Sequence, residues 1–300
     1  MECDEVWKTF DQERLNAEYN ASATVPSFEA YVDRWRRESD RVRKSYGPRT
    51  NIPYGDGEFQ RLDLFPVARD GAPVLLYLHG GFWWRTSKDD YSFFAEPFLN
   101  AAAVAIPNYS LAPAATLDEM LAEMRSVILW LHANAEQHNG DPGRIVICGH
   151  SAGGQLGGML AATDWSAHGL TRNPIVAMCG LSGLYDLEPI RHSNINEWLH
   201  LDEETARRNS PILHLPRVAM PLVATVGEFE TSEFQRQTLD YAVVWRECGY
   251  PAECEVMTGR NHYDLILDVL EPGSRLRASV AGLIGGDYLT SGSTSLGARG

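Results

Sequence analysis

A mostly parallel central sheet with helices on both faces, an α/β fold, is the architecture that this 300-residue sequence predicts. Three observations predict it. Short apolar runs of strand length recur, among them PVLLYLHG (73–80), RIVICG (144–149) and PLVATVG (221–227). Stretches with apolar residues at helical spacing alternate with them. Glycine closes each of the three runs, where a buried strand would pass into a loop.

The elements follow in order. Residues 1–50 read as a helical arm, with Phe28, Tyr31, Val32, Trp35, Ser39 and Val42 at helical spacing between arginines and glutamates. In EFQRLDLFP, Phe59, Leu62 and Leu64 suggest a strand pair leading in. The run 73–80, a helical stretch around 90–101 and the strand 103–109 come next. The clearest helix spans 116–138, where Leu117, Met120, Leu121, Met124, Val127, Ile128 and Leu131 form one stripe. Thr116 and Glu119 form its capping box, and Gly140 lies beyond its end. Then come the strand 144–149, a helix from 152, strands 174–183 and 221–227, a helix 232–248, a strand 252–259 and a closing helix from 264. The segment 184–216, with its tryptophan, prolines and short helical pieces, suits a small lid. The chain therefore reads as one domain over 1–285, and the glycine- and serine-rich 286–300 as a disordered tail.

Composition narrows the function. A net charge of −14 argues against nucleic acid or an anionic membrane surface as partner, since both would repel it. Five scattered cysteines, with no CxxC or Cys/His cluster, signal neither a disulfide framework nor zinc. The start, MECDEVWKTFDQERL, is acidic and polar, unlike a secretory signal, and no apolar run approaches the ~20 residues of a membrane helix. A cytoplasmic protein is the expectation, and a homodimer the default assembly. There is no HExxH and no GK[ST], so neither a metal nor a nucleotide cofactor is expected.

The chemistry centres on ICGHSAGGQLGGML. GHSAG (149–153) matches the G-x-S-x-G elbow, in which small neighbours let a tight turn lift the serine hydroxyl above the strand end. A helix start capped by a serine could carry the same letters. The strand before, the helix after and HGGFWW (79–84) at the end of an earlier strand favour a nucleophile, Ser151. A serine needs a base, and with such an elbow the acid and then the histidine follow along the chain. Of His192, His200, His214 and His262, only His262 follows a late strand; the others fall in the expected lid. For the acid, Glu228, Glu230 and Glu233 in GEFETSEF compete, with Asp186 the main rival and Asp264 too near His262 in the chain. The backbone amides of Ala152, Gly81 and Phe82 are the expected oxyanion donors. His79 is expected to brace their loop. Phe82, Trp83, Trp84 and Tyr109 could wall an aromatic pocket or plug the core; Phe82, Trp83 and Tyr109 are taken as substrate-binding.

YLHGGFWW, PNYSLAP, GDPGRIVICGHSAGGQLGGMLAATDW, SGLYDLEPI, EFQRQT and NHYDL together resemble the arylformamidase (kynurenine formamidase) branch of the α/β-hydrolases, beside the hormone-sensitive-lipase-like esterases. The likeness runs from the arm to the C-terminal tail. It implies the α/β-hydrolase fold, the base His262 and the acid Glu230 in preference to Asp186. Many members carry aspartate there, so the glutamate is a departure, though a chemically conservative one. Phe82 stands where the esterase cousins have a third glycine. The implied reaction is cleavage of an aryl formamide such as N-formyl-L-kynurenine to formate and the free amine, without a cofactor. A broad carboxylesterase acting on small aryl or short-chain esters is the alternative within the class, and a non-catalytic hydrolase-fold binding protein the alternative outside it. In the first two readings the partner is a small aromatic amide or ester.

Overall fold

A computed structural model describes residues 6–286. The expected tail at 286–300 lies outside them, apart from Gly286. Among the described residues eight strands form one sheet: β1 (Arg49–Pro53), β2 (Arg61–Phe65), β3 (Ala72–Leu78), β4 (Ala103–Pro107), β5 (Gly140–His150), β6 (Ile175–Leu181), β7 (Leu222–Gly227) and β8 (Ala252–Met257). Their order is β1-β2-β4-β3-β5-β6-β7-β8. β2 runs antiparallel to both β1 and β4, and every pairing from β4 to β8 is parallel. Every residue of β3, β4 and β7 is buried, which requires cover on both faces.

Nine α-helices and several 3₁₀ turns supply that cover among the described residues: α1 (Gln12–Glu18), α2 (Phe28–Tyr46), α3 (Leu117–Asn134), α4 (Ala152–Ala162), α5 (Glu188–Arg191), α6 (Asn196–Leu199), α7 (Glu203–Arg208), α8 (Ser232–Glu247) and α9 (Arg275–Gly285). One group joins α3, α4 and α8 to β5–β8, and a second joins α2, α9 and the 3₁₀ segments Ser92–Phe98 and Leu265–Leu270. α3 starts as its sequence dictates: Thr116 accepts from the Glu119 amide, and the Glu119 carboxylate accepts from the Thr116 amide at 2.8 Å. Its seven-residue apolar stripe is wholly buried. α2 buries Val32, Trp35, Ser39 and Val42, is capped by Ser27, and ends where Gly47 adopts φ 54°.

Several boundaries depart from the expected ones. Phe59 belongs to no strand; it is 47% exposed in the turn between β1 and β2. The stretch 90–101 forms 3₁₀ turns instead of a regular helix, with Pro97 inside the segment denying it a donor. The closing helix starts at Arg275, not 264, because Pro272 and Gly273 (φ 86°) separate it from the turn Leu265–Leu270. The segment 184–216 carries α5, α6, α7 and the turn Pro211–Leu213. It is tied to α3 by Arg208 and Asn209, which both donate to Asp118. Among the described residues no helix is long and apolar enough to cross a membrane.

Lys88 and Asp63 form a charged pair in the interior: Lys88 Nζ sits 2.9 Å from Asp63 Oδ1 on β2, with both side chains nearly inaccessible. Removing one member strands the other charge. Lys88→Met is expected to destabilise the protein by about 3–5 kcal/mol in urea unfolding, and pairing it with Asp63→Asn to recover part of the loss. A single-variant loss below about 1 kcal/mol would show that the pair carries no such penalty.

Candidate active site

β5 ends in the sharp turn that carries Ser151, at φ 55° and ψ −120°, a conformation a non-glycine residue holds only under constraint. The constraint is visible. The Ser151 amide donates to Leu181 O on β6 at 2.8 Å, and α4 begins at the next residue. The motif's two glycines are required by close approach. A Cβ on Gly149 would lie 2.2 Å from Gly153 O, and one on Gly153 would lie 2.1 Å from Leu78 O. Ser151 is 1% exposed, and its Oγ has no hydrogen-bond partner among the described residues.

His262 follows β8 in a loop shaped by Asn261, whose Oδ1 accepts from the amides of Tyr263 and Asp264. Its Nδ1 lies 2.6 Å from Glu230 Oε2. Glu230 follows β7, and its other oxygen accepts from the Gly227 amide and from Ser182 Oγ, each at 2.6 Å. An acceptor carboxylate at that distance sets the tautomer by its chemistry: Nδ1 carries the proton, and the Nε2 lone pair is free. Ser151 and His262 line one small cavity of about 20 Å³ together with Phe28, Gly81, Phe82 and Arg85. A larger groove of about 780 Å³, bordered by Trp84, Glu119 and Glu123, holds neither Ser151 nor His262. The chemistry, not the size, marks the site.

The loop after β3 turns tightly, with Gly81 at φ 110°, Phe82 at 49° and Trp83 at 62°. A Cβ on Gly81 would meet Arg85 O at 2.2 Å, so the turn needs glycine there. Among the described residues nothing accepts from the amides of Gly81, Phe82 or Ala152. His79 braces the loop, stacked on Tyr109 at 4.4 Å with Nδ1 2.8 Å from Gly80 O. Burial lowers its pKa to about 4, so it stays neutral.

The aromatic expectations divide. Phe82 lines the cavity. Trp83 does not: it is fully buried, with Nε1 donating to Gln155 Oε1 on α4 at 2.9 Å. Tyr109 does not either; its hydroxyl donates to His79 O at 3.1 Å, so it supports the loop from beneath. Both are corrected from substrate-binding to packing residues, because each spends its polar atom inside the core. Trp84 faces outward, stacked on Trp198 of α6 at 4.6 Å.

Asp186 is engaged elsewhere. It accepts from the Glu188 amide and from Arg236, and burial raises its pKa. Glu233 is buried on α8, where it accepts from the Tyr19 hydroxyl at 2.7 Å and pairs with Arg236. Sequence reasoning missed three contributors. Ser182, at φ 50° just after β6, holds Glu230. His150 packs its ring 4.8 Å from His262, and its Nε2 donates to His262 O at 2.9 Å. Burial, then the neighbouring His262, push its pKa well down, so it adds no charge beside His262. The arm supplies the third group: Phe28 lines the cavity, and Trp35 Nε1 donates to Tyr263 O at 3.2 Å. The signal for Ser182 was present in SGLYDL at a strand end; nothing local marks the arm. Among the described residues no group of three or more His, Cys, Asp or Glu side chains could hold a metal ion.

The BD-FAE family model matches residues 62–223, from β2 through Ser151 to β7. The chain belongs to the BD-FAE family. A kynurenine formamidase of Danio rerio is 28% identical over 293 residues, covering 93% of this chain and 98% of that protein. A carboxylesterase of Mycobacterium tuberculosis is 34% identical over 98 residues, 32% of this chain and 31% of that protein. Among solved structures, a Silicibacter protein provisionally named a thioesterase superposes with TM-score 0.79 at 26% identity, covering 89% of this chain and 98% of its own. The protein is an α/β-hydrolase similar to the arylformamidases, and a serine hydrolase by class.

Proposed function

We propose that the protein cleaves the C–N bond of an aryl formamide such as N-formyl-L-kynurenine, with Ser151 as nucleophile, His262 as general base and acid, and Glu230 orienting the imidazole. The observation that carries the reading is the 2.6 Å Glu230–His262 pair sharing a cavity with an unpartnered Ser151 hydroxyl. His262 Nε2 takes the Ser151 proton as Oγ bonds to the formyl carbon. The amides of Gly81, Phe82 and Ala152 receive the oxyanion, each donor contributing about 3 kcal/mol. The tetrahedral species collapses when the imidazolium gives its proton to the leaving amine. Water then attacks the formyl–serine ester, His262 takes its proton, and formate departs as Ser151 is reprotonated. The full-length likeness to the fish formamidase favours this substrate class.

A second reading, a carboxylesterase for small aryl or short-chain esters, is favoured by the carboxylesterase relative around the elbow. The test is the ratio of kcat/KM for N-formylkynurenine to that for short p-nitrophenyl esters. We expect the formamide to lead. Esters ahead by orders of magnitude would replace the formamidase reading with the esterase one. Turnover of neither would leave a binding protein.

A further inference from the structure

We propose that Arg85 is a specificity-determining residue that receives a carboxylate on the substrate. The proposal rests on the assignment of Ser151 and His262 as the reacting pair, because Arg85 is located by the cavity they share.

Arg85 belongs to the same turn as the oxyanion amides: its amide donates to Gly81 O at 2.9 Å. The side chain therefore leaves a segment whose geometry is already fixed by the reaction's needs. Its guanidinium carbon stands 3.6 Å over the Trp84 ring and 5.7 Å from the Phe28 ring. A guanidinium stacked by its face keeps its N–H groups in the plane of the stack, free to engage a planar anion by two parallel hydrogen bonds. Among the described residues no carboxylate lies within 4 Å of it. The carboxylate whose charge reaches it, Glu29, is exposed and held by Ser27. Its Nε is buried and has no acceptor.

A half-buried cation with an unsatisfied donor is unfavourable unless something completes it. Several other arginines are completed by carboxylates, Arg36 by Asp90, Arg41 by Glu96 and Arg236 by Glu233, while the part-buried Arg125 reaches, among the described residues, only the Thr163 hydroxyl. Burial lowers the Arg85 pKa, the direction expected of a guanidinium lacking a close counter-ion. The net charge of −14 makes the need sharper, since an anionic substrate entering this field requires a local cation. The substrate class that fits is an acyl compound bearing a carboxylate beyond the scissile bond, in preference to a neutral one.

The test uses two substrate pairs, so that failure of the formamidase reading and failure of this one can be told apart. The first pair is N-formylkynurenine and its carboxamide analogue. The second is 4-acetoxybenzoate and 4-acetoxybenzamide, whose acid likewise lies on the leaving group. The readout is the ratio of kcat/KM, acid over neutral, in wild type, Arg85→Lys and Arg85→Met. We expect that ratio to fall about 10- to 100-fold in Arg85→Met, chiefly through KM, and by less in Arg85→Lys, which keeps the charge but not the fork. If wild type ignores both formamides, the formamidase reading is lost and the ester pair still decides on Arg85. A ratio within twofold of wild type in Arg85→Met overturns the proposal. Should that variant fail to fold, inhibition of wild-type p-nitrophenyl acetate hydrolysis decides: aryl carboxylates must bind more tightly than their carboxamides, and equal inhibition overturns it.

Discussion

Replacing Ser151 with alanine should lower kcat by about 10⁴- to 10⁶-fold while leaving the fold intact, because members of the proposed serine–histidine–acid unit act together and little remains beyond binding and the oxyanion donors. The structure separates the two effects unusually well. Ser151 Oγ makes no hydrogen bond, so its loss leaves no buried partner unsatisfied. The elbow is held by backbone, through the Ser151 amide to Leu181 and the close contact of Gly149 with Gly153, and those interactions survive the change. Unfolding midpoints should thus agree with wild type while turnover of formamide and ester alike disappears. Labelling by a fluorophosphonate should vanish with it. Substantial turnover by the alanine variant, after exclusion of contaminating wild type, would sink the nucleophile assignment.

The second large effect is expected at Glu230. Glutamine preserves shape but carries one acceptor oxygen and one donor group. Two donors, the Gly227 amide and Ser182 Oγ, converge on Oε1, so the amide oxygen belongs there. The NH₂ group then faces His262 Nδ1, where the carboxylate oxygen stood at 2.6 Å. Nδ1 must become the acceptor, the proton moves to Nε2, and the imidazole can no longer take the Ser151 proton. A fall in kcat of about 10⁴-fold follows from this wrong tautomer. Asp186→Asn is the control, since Asp186 is occupied by Arg236 and the Glu188 amide. A Glu230→Gln variant within tenfold of wild type, beside an inactive Asp186→Asn, would transfer the acid role.

The elbow was legible because its causes are local. A strand run, two glycines and a helix start lie within about fifteen residues, and the geometry they require is a property of that piece of chain. His262 was legible by its order after the last strand. Glu230 was only half legible: Glu228, Glu230 and Glu233 lie within six residues of one another, and spacing left them open where the family resemblance favours the middle one. The structure separates them by direction. Glu228 accepts from the Gly259 amide, Glu233 turns to Tyr19 and Arg236, and Glu230 alone reaches His262. The aromatic wall was the least legible, because neighbours of the same chemical kind had to be told apart by partners far along the chain. Trp83 is fixed by Gln155, seventy-two positions on, and Trp35 by Tyr263, two hundred and twenty-eight on.

By itself, then, the sequence determined the alternating α/β order, the caps of its best helices, the turn that carries Ser151 and the place of the late histidine, since each depends on backbone preferences and periodicity over a few turns of chain. Only the tertiary structure decided which carboxylate faces the imidazole, which aromatic ring faces the cavity, and that an N-terminal helix closes one side of it. Those outcomes depend on which buried polar atoms find partners across the sheet. That competition is settled by packing in three dimensions, and residue order alone does not record it.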